Sequence, residues 1–503
     1  RMRLLALLAL VGAAAAVPRS VRQARYLALP ADVKDENLEL IFAHSLWRHG
    51  DRAAEHAVPG LDAFTEDDWT FGGGGYGELS PEGMRMHFNL GRMIRKRYVD
   101  DFKILSSAYS AKEIYVRSTD YNRTLISAYS NVAGMYSGFG VAGQNFPEKT
   151  DEFPDWPTNY IPIPVHTVDY STDYVGHPDA KCDRQDQLYE MIRQSPEYQS
   201  YINDPQISQI LKYLSDTTGT DVNIDNMYDL QDPIFCQSQH IEELNQTGAN
   251  IEDFYPWFYT GDVPSWVDWI IDKDEDFTNG IANPGGVNGI DVSVEIPKIR
   301  AGDTLKLMVG NVHGVLTCRD TPDDDKCRNF YKKLRYYALS AHDTTTAAFL
   351  TILGVKKYII PEGYPNYSAA VFLEIYEDKT TRERYFKVQY HADKDSGFKP
   401  ITAFVRGCDP KENTCPISVL DDLVAKYAPD TDMVTLCNTP PNGVPPTTTT
   451  TVKPVTGSTT VSLPPTTTNK PTTTPTIPPT TTSASSLSSL LTAVSVMILS
   501  RLL

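Results

Sequence analysis

Hydrophobic and polar positions along most of the chain alternate between two periods, and the alternation predicts strands followed by helices. Residues 38–47 form a nearly continuous apolar run, as a strand covered on both faces of a parallel sheet requires, and the run stops at Arg48. Ser80, Pro81 and Glu82 then supply an N-cap and a first-turn proline, and Met84, Phe88, Gly91, Ile94 and Tyr98 recur at helical spacing. Ile114 and Val116 alternate in a second short strand ending at Arg117, and residues 118–120 are placed to cap a helix carrying Leu125, Ala128 and Val132. A third strand over 336–341 ends at His342, followed by a helix over about 344–353 that Gly354 stops. Residues 370–376 and 385–390 flank a polar turn and read as an antiparallel hairpin. Strands alternating with helices in this way predict an α/β fold.

Residues 165–320 break the pattern. Tyr, Trp, Asp, Gly and Pro are spread through them, with scattered helical spacing such as Ile207, Ile210, Leu211 and Leu214, so they read as a smaller, mostly helical insertion. The α/β part is then expected in two pieces, 34–164 and 321–437. The ends differ from the middle. Arg1 and Arg3 precede the apolar run 4–16, in which Ala14 and Ala16 give an A-x-A pattern; residues 1–16 are therefore expected to be a secretory signal peptide. Residues 438–484 are dominated by Thr and Pro and predict an O-glycosylated stalk with nothing to pack. Residues 485–503 are apolar but broken by serines and Arg501. They predict membrane anchorage, either through a lipid-anchor signal preceded by Ser483, Ala484 and Ser485 or through a marginal spanning helix.

The chain has 503 residues, of which 41% are hydrophobic, and a net charge of −18, so a sizeable core is expected and a nucleic-acid partner is not. Its seven cysteines suit an oxidising compartment. Cys408 with Cys415 and Cys318 with Cys327 are spaced for local bridges, which leaves Cys182, Cys236 and Cys437, an odd number. Asn245 and Asn366 are sequons suited to surface loops of a secreted protein, and Asn122 is a third.

Each of the three predicted strand ends delivers charge: Arg48, His49, Asp51 and Arg52 from the first, Arg117 from the second, His342 and Asp343 from the third. Ligands of open α/β sheets bind outside the carboxyl ends of the strands, so these residues are candidates for one pocket. Guanidinium forks match phosphate oxygens, and Arg48, Arg52 and Arg117 could hold a phosphoryl group. His49 could attack phosphorus and Asp343 could protonate the departing alcohol, which implies acidic operation; His342 could donate a hydrogen bond or positive charge. Asp51 reads as structural, tying an arginine in place. Taken singly, such residues are more often surface ion pairs or helix caps; their recurrence at successive strand ends argues for a site. No H-x-x-x-H spacing accompanies His44, His166, His240 or His391, and neither a metal nor another cofactor is expected.

The runs R-H-G-D-R (48–52), V-R-S-T-D-Y-N-R-T-L (116–125) and S-A-H-D-T-T (340–345) resemble the histidine acid phosphatase family, its lysosomal and prostatic branch in particular. N-L-G-R-M-I-R-K-R-Y (89–98) and P-I-P-V-H-T (162–167) are similar too. The resemblance covers about 38–437. It implies a phosphoglycerate-mutase-like fold, with a mostly parallel sheet flanked by helices and a helical cap. It also implies a phosphohistidine on His49, phosphate held by Arg48, Arg52, Arg117 and His342, Asp343 as proton donor, a phosphomonoester substrate, no metal, and a homodimer in many members. Where many members have proline, this chain has Ala54. The resemblance pairs Cys182 with Cys437, and Cys236 with a cysteine near 370, where this chain has Ala370.

Two other functions compete. A phytase would apply the same chemistry to a polyanion and would favour a pocket rich in Lys and Arg, whereas the insertion clusters Asp268, Asp272, Asp274, Glu275 and Asp276. An inactive binding ectodomain would not need both His49 and Asp343.

Overall fold

The structure, a computed structural model, describes residues 35–441 apart from 62, 152–155, 245–247, 284 and 324–326, and apart from the side chains of 328 and 329. The expected signal segment, Asn245, nearly all of the stalk and the C-terminal apolar segment lie outside the described residues.

The sheet contains β1 (Leu38–Arg48), β2 (Ile114–Ser118), β3 (Tyr336–Ala341), β4 (Ala370–Asp378), β5 (Arg384–His391), β6 (Lys399–Pro400) and β7 (Cys415–Pro416). Their order is β2-β3-β1-β4-β5-β6, with β7 also paired to β5. β2, β3 and β1 are parallel, and β4 and β5 extend them as an antiparallel hairpin. β1 is apolar throughout because both of its faces are covered. Phe42 and Leu46 enter one core, while Ala43 and Trp47 enter the other.

On the Trp47 face lie α1 (Pro81–Arg95) and α2 (Asn122–Tyr136), packed so closely that a Cβ on Gly91 would stand 2.0 Å from the Asn131 carbonyl oxygen. Ser80 caps α1 as expected, its hydroxyl accepting from Gly83 N. The start of α2 differs from the expectation. Its N-cap is Tyr121 rather than a residue of 118–120, because Ser118 and Thr119 bond elsewhere: Thr119 Oγ1 meets Thr124 and His342.

The cap contains α3 (Asp183–Arg193), α4 (Pro196–Ile202), α5 (Pro205–Thr218), α6 (Met227–Gln239) and α7 (Val263–Thr278), gathered around Leu188, Ile207, Met227, Ile234 and Ile270. The loop after β1 joins this core through Ala53, Ala54, Val58 and Trp69. The long α8 (Val292–Asp320) belongs to both cores. Val292, Ile296 and Ile299 pack in the cap, while Leu305, Met308, Val312 and Val315 pack beneath the sheet. α9 (Asp343–Ile352), ended by Gly354 at φ +77°, and α10 (Ser418–Tyr427) complete that layer.

Disulfides join Cys182 to Cys437, Cys318 to Cys327 and Cys408 to Cys415, and Cys236 is free and buried. Among the described residues no helix is long and apolar enough to cross a membrane.

Candidate active site

Because β3 lies between β1 and β2, the residues leaving the carboxyl ends of the parallel strands are neighbours. Main-chain bonds tie these ends side by side: His49 N donates to Ala341 O at 3.0 Å, and Thr119 N to Ser340 O at 3.0 Å.

His49 is 2% exposed. Its Nδ1 lies 2.7 Å from the Gly50 carbonyl oxygen, which can only accept, so Nδ1 carries the proton and Nε2 keeps the lone pair. Burial, then the positive charge of Arg123, Arg48 and Arg52, holds the imidazole well below its ordinary 6.5, so the ring is neutral. The loop carrying it lies flat on the start of α1. A Cβ on Gly50 would stand 2.4 Å from the Gly83 carbonyl oxygen, so no side chain fits there.

Arg48 reaches across to Asp343, Nη2 to Oδ2 at 2.9 Å, and donates through Nη1 to the Pro365 carbonyl at 2.7 Å. Its guanidinium lies over the Tyr367 ring, 4.3 Å from the centroid. His342 is the N-cap of α9 and Asp343 its first residue, so the end of β3 turns both side chains to the sheet edge. His342 Nε2 lies 3.0 Å from Thr119 Oγ1, and its ring centroid is 5.8 Å from that of His49. Burial and the nearby Arg123, His177, Arg48 and Arg52 hold it well below 6.5 as well. In the free site it therefore offers a hydrogen bond rather than a charge.

Arg52 is held from the cap. Asp232 on α6 accepts from both of its terminal nitrogens, at 3.1 and 3.0 Å. Although burial raises it, the Asp232 carboxyl stays below its ordinary value because Arg52 and the Tyr228 hydroxyl favour the anion. Asp51 is buried but ties no arginine; it accepts from Ser80 Oγ, and its Oδ2 lies 2.6 Å from His240 Nε2. Cys236 sits 3.6 Å from Arg52 Nη1 and 3.5 Å from the Tyr367 hydroxyl, so Tyr367, not Ala370, faces it. Burial and Asp232 push its thiol up to about 12, which leaves it unreactive.

A cleft of about 240 Å³ opens above these groups, bounded by Glu55, Tyr121, Arg123, His177, Tyr228, His342, Asp343, Thr344 and Tyr364. Arg117, expected here, does not line it: its Nη2 is paired with the buried Asp173. Arg123, which the sequence reading passed over, occupies the cleft instead, paired with Glu55 at 2.9 Å and stacked 4.6 Å over Tyr121. The signal for it was its place in the first turn of the helix that follows β2, since helix starts at this sheet edge face the ligand. Arg48, His49, Arg52, His342 and Asp343 stand near one another at this edge of the sheet.

An α/β core with a helical cap thus carries a buried histidine among arginines at the ends of its parallel strands. Residues 39–391 match the family model of the histidine phosphatase superfamily, branch 2, and the chain belongs to that family. It is 33% identical over 419 residues to "Putative acid phosphatase 10" of Caenorhabditis elegans, covering 82% of this chain and 97% of the relative. It is 30% identical over 380 residues to the lysosomal acid phosphatase of Homo sapiens, covering 75% of each. Among solved structures, the phytase of Klebsiella sp. ASR1 aligns over 80% of this chain and 99% of its own with a TM-score of 0.53 at 16% identity, a likeness of fold.

Proposed function

We propose that the protein is an acid phosphatase that hydrolyses phosphate monoesters through a phosphohistidine on His49. The observation that carries this is the proton placement on His49: Nδ1–H is engaged by the Gly50 carbonyl, and burial among arginines holds the ring well below its ordinary value, so Nε2 keeps the lone pair a nucleophile needs. In the first step Nε2 attacks phosphorus, the bond from phosphorus to the ester oxygen breaks, and the departing oxygen takes the proton of the Asp343 carboxyl. In the second, water attacks phosphorus, the N–P bond breaks, Asp343 recovers a proton from that water, and inorganic phosphate leaves. Arg48, Arg52, Arg123 and the His342 ring hold the phosphoryl oxygens. The buried Nε–H groups of Arg48, Arg52 and Arg123 have no hydrogen-bond partner, a state that an anion would relieve. Arg117 belongs to the frame rather than to the phosphate.

The cleft lining favours simple monoesters over a polyanionic inositol phosphate, because it presents Glu55 and several tyrosines with no lysine. Three disulfides and the naming of lysosomal relatives support a luminal or extracellular location. Anchorage through 485–503 and a homodimer are further parts of the reading; release from membranes by a phosphoinositide-specific phospholipase C would identify a lipid anchor.

Turnover of p-nitrophenyl phosphate between about pH 4 and about pH 8 tests the mechanism. His49→Ala is expected to lose at least about 10³-fold in kcat, and Asp343→Asn about 10²–10⁴-fold, with the wild-type acid optimum lost in the latter. Turnover by His49→Ala equal to wild type would overturn the phosphohistidine.

A further inference from the structure

The acidic run of α7, which the proposed chemistry leaves unused, faces the catalytic half of the molecule. Asp272, Glu275 and Asp276 stand three and four residues apart and share one helix face. All three are nearly buried, at 2%, 1% and 6% exposure. Against them stand two lysines from the short helix Lys356–Ile359 that follows α9. Lys356 Nζ lies 2.9 Å from Glu275 Oε2 and 3.7 Å from Asp272 Oδ1. Lys357 Nζ lies 3.2 Å from Asp272 and 2.6 Å from Asp276, and also donates to the Pro361 carbonyl at 3.1 Å.

Asp272 does one thing more: its Oδ1 accepts from Gly363 N at 2.8 Å. Gly363 opens a short loop in which Tyr364, Pro365 and Tyr367 touch the site. Tyr364 lines the cleft, the Pro365 carbonyl receives Arg48 Nη1, and the Tyr367 ring lies under the same guanidinium. Ser368 N then donates to the His49 carbonyl at 3.0 Å. The aim of Arg48 is thus set by a loop, and the near end of that loop is held by a carboxylate of the cap.

We propose that Asp272 is a positioning residue for catalysis: by holding the Gly363 N–H it fixes the 363–367 loop, which aims Arg48 at the phosphoryl group. The proposal rests on the phosphatase reading of the site. A guanidinium displaced by about 1 Å forfeits much of its hold on a phosphoryl group, so the effect reaches turnover although Asp272 touches no substrate.

The test compares Asp272→Ala, Asp272→Asn and Glu275→Gln in the full chain, measuring kcat/KM for p-nitrophenyl phosphate, direct binding of inorganic phosphate by calorimetry, and thermal stability. Asp272→Ala is expected to weaken phosphate binding and lower kcat/KM, each by about tenfold or more. Asp272→Asn keeps the acceptor oxygen for Gly363 and is expected to stay within about threefold of wild type; Glu275→Gln disturbs the same buried network without touching the loop and should match wild type at both readouts. Should Asp272→Ala not fold, Asp272→Leu, which keeps the side chain's bulk but has no acceptor for Gly363 N, takes its place with a loss in the same direction. Phosphate affinity and turnover of the folded variant within about twofold of wild type would overturn the proposal, as would equal losses in Asp272→Asn or in Glu275→Gln. If wild type binds phosphate but turns over no monoester, the phosphatase reading fails, while the binding measurements still decide the role of Asp272.

Discussion

Two arginines six residues apart trade places between expectation and structure, and strand geometry explains why. Side chains along β2 alternate between faces. Ile114, Val116 and Ser118 are buried, while Arg117 leaves on the opposite side with Tyr115 and meets Asp173. Being last in a strand places a residue at the right edge but does not choose the face. Arg123 reaches the cleft from the first turn of α2. Arg123→Ala is therefore expected to lower kcat/KM by about 10²–10³-fold. Arg117→Ala, which loosens Asp173 and the Gly176 amide that Asp173 also holds, should cost about tenfold or less, and steady-state kinetics on the pair check the order. Arg48, His49, His342 and Asp343 were legible because each stands at or directly after the end of a buried strand: Arg48 closes β1 and His49 follows it, and His342 and Asp343 follow β3.

At the scale of elements, the sequence marked what tertiary packing left free to obey local rules. β1, β3, α1 and the β4-β5 hairpin lie where hydrophobic period and capping residues place them. α2 begins later because its apparent cap residues are drawn to His342 and Thr124. In the cap, α7 carries Asp272, Glu275 and Asp276 on a face that is buried only because another element covers it, so its polarity hid its role. α7 also gives a pH prediction. Burial, only partly offset by Lys356, pushes the Glu275 carboxyl up to about 7 from 4.5. The folded state therefore binds this proton more tightly than the unfolded chain, and the contribution is fully present below about pH 4.5 and lost as pH rises through about 7. Thermal unfolding of wild type should show a stability decline on the order of 1–3 kcal/mol from this group across that window, and Glu275→Gln should flatten it.

For the whole molecule, the convergence of distant segments was the part that no local pattern encodes. The order β2-β3-β1 brings residue 342 between residues 49 and 119, and only the folded sheet reveals it. The same long-range logic holds in the Cys182–Cys437 bridge, which ties the start of α3 to the end of the described fold across 255 residues. Cys182→Ser should cost about 2–5 kcal/mol in unfolding free energy while leaving KM near wild type, since neither cysteine lines the cleft.

α8 runs unbroken from one hydrophobic centre into the other, and that continuity limits how the molecule can be re-engineered. Exchanging the cap with that of a relative by cutting after residue 320 would carry away Leu305, Met308 and Val312, and with them the floor on which β1 and β3 rest. A viable chimaera must instead be joined within a turn of Arg300, inside the helix itself.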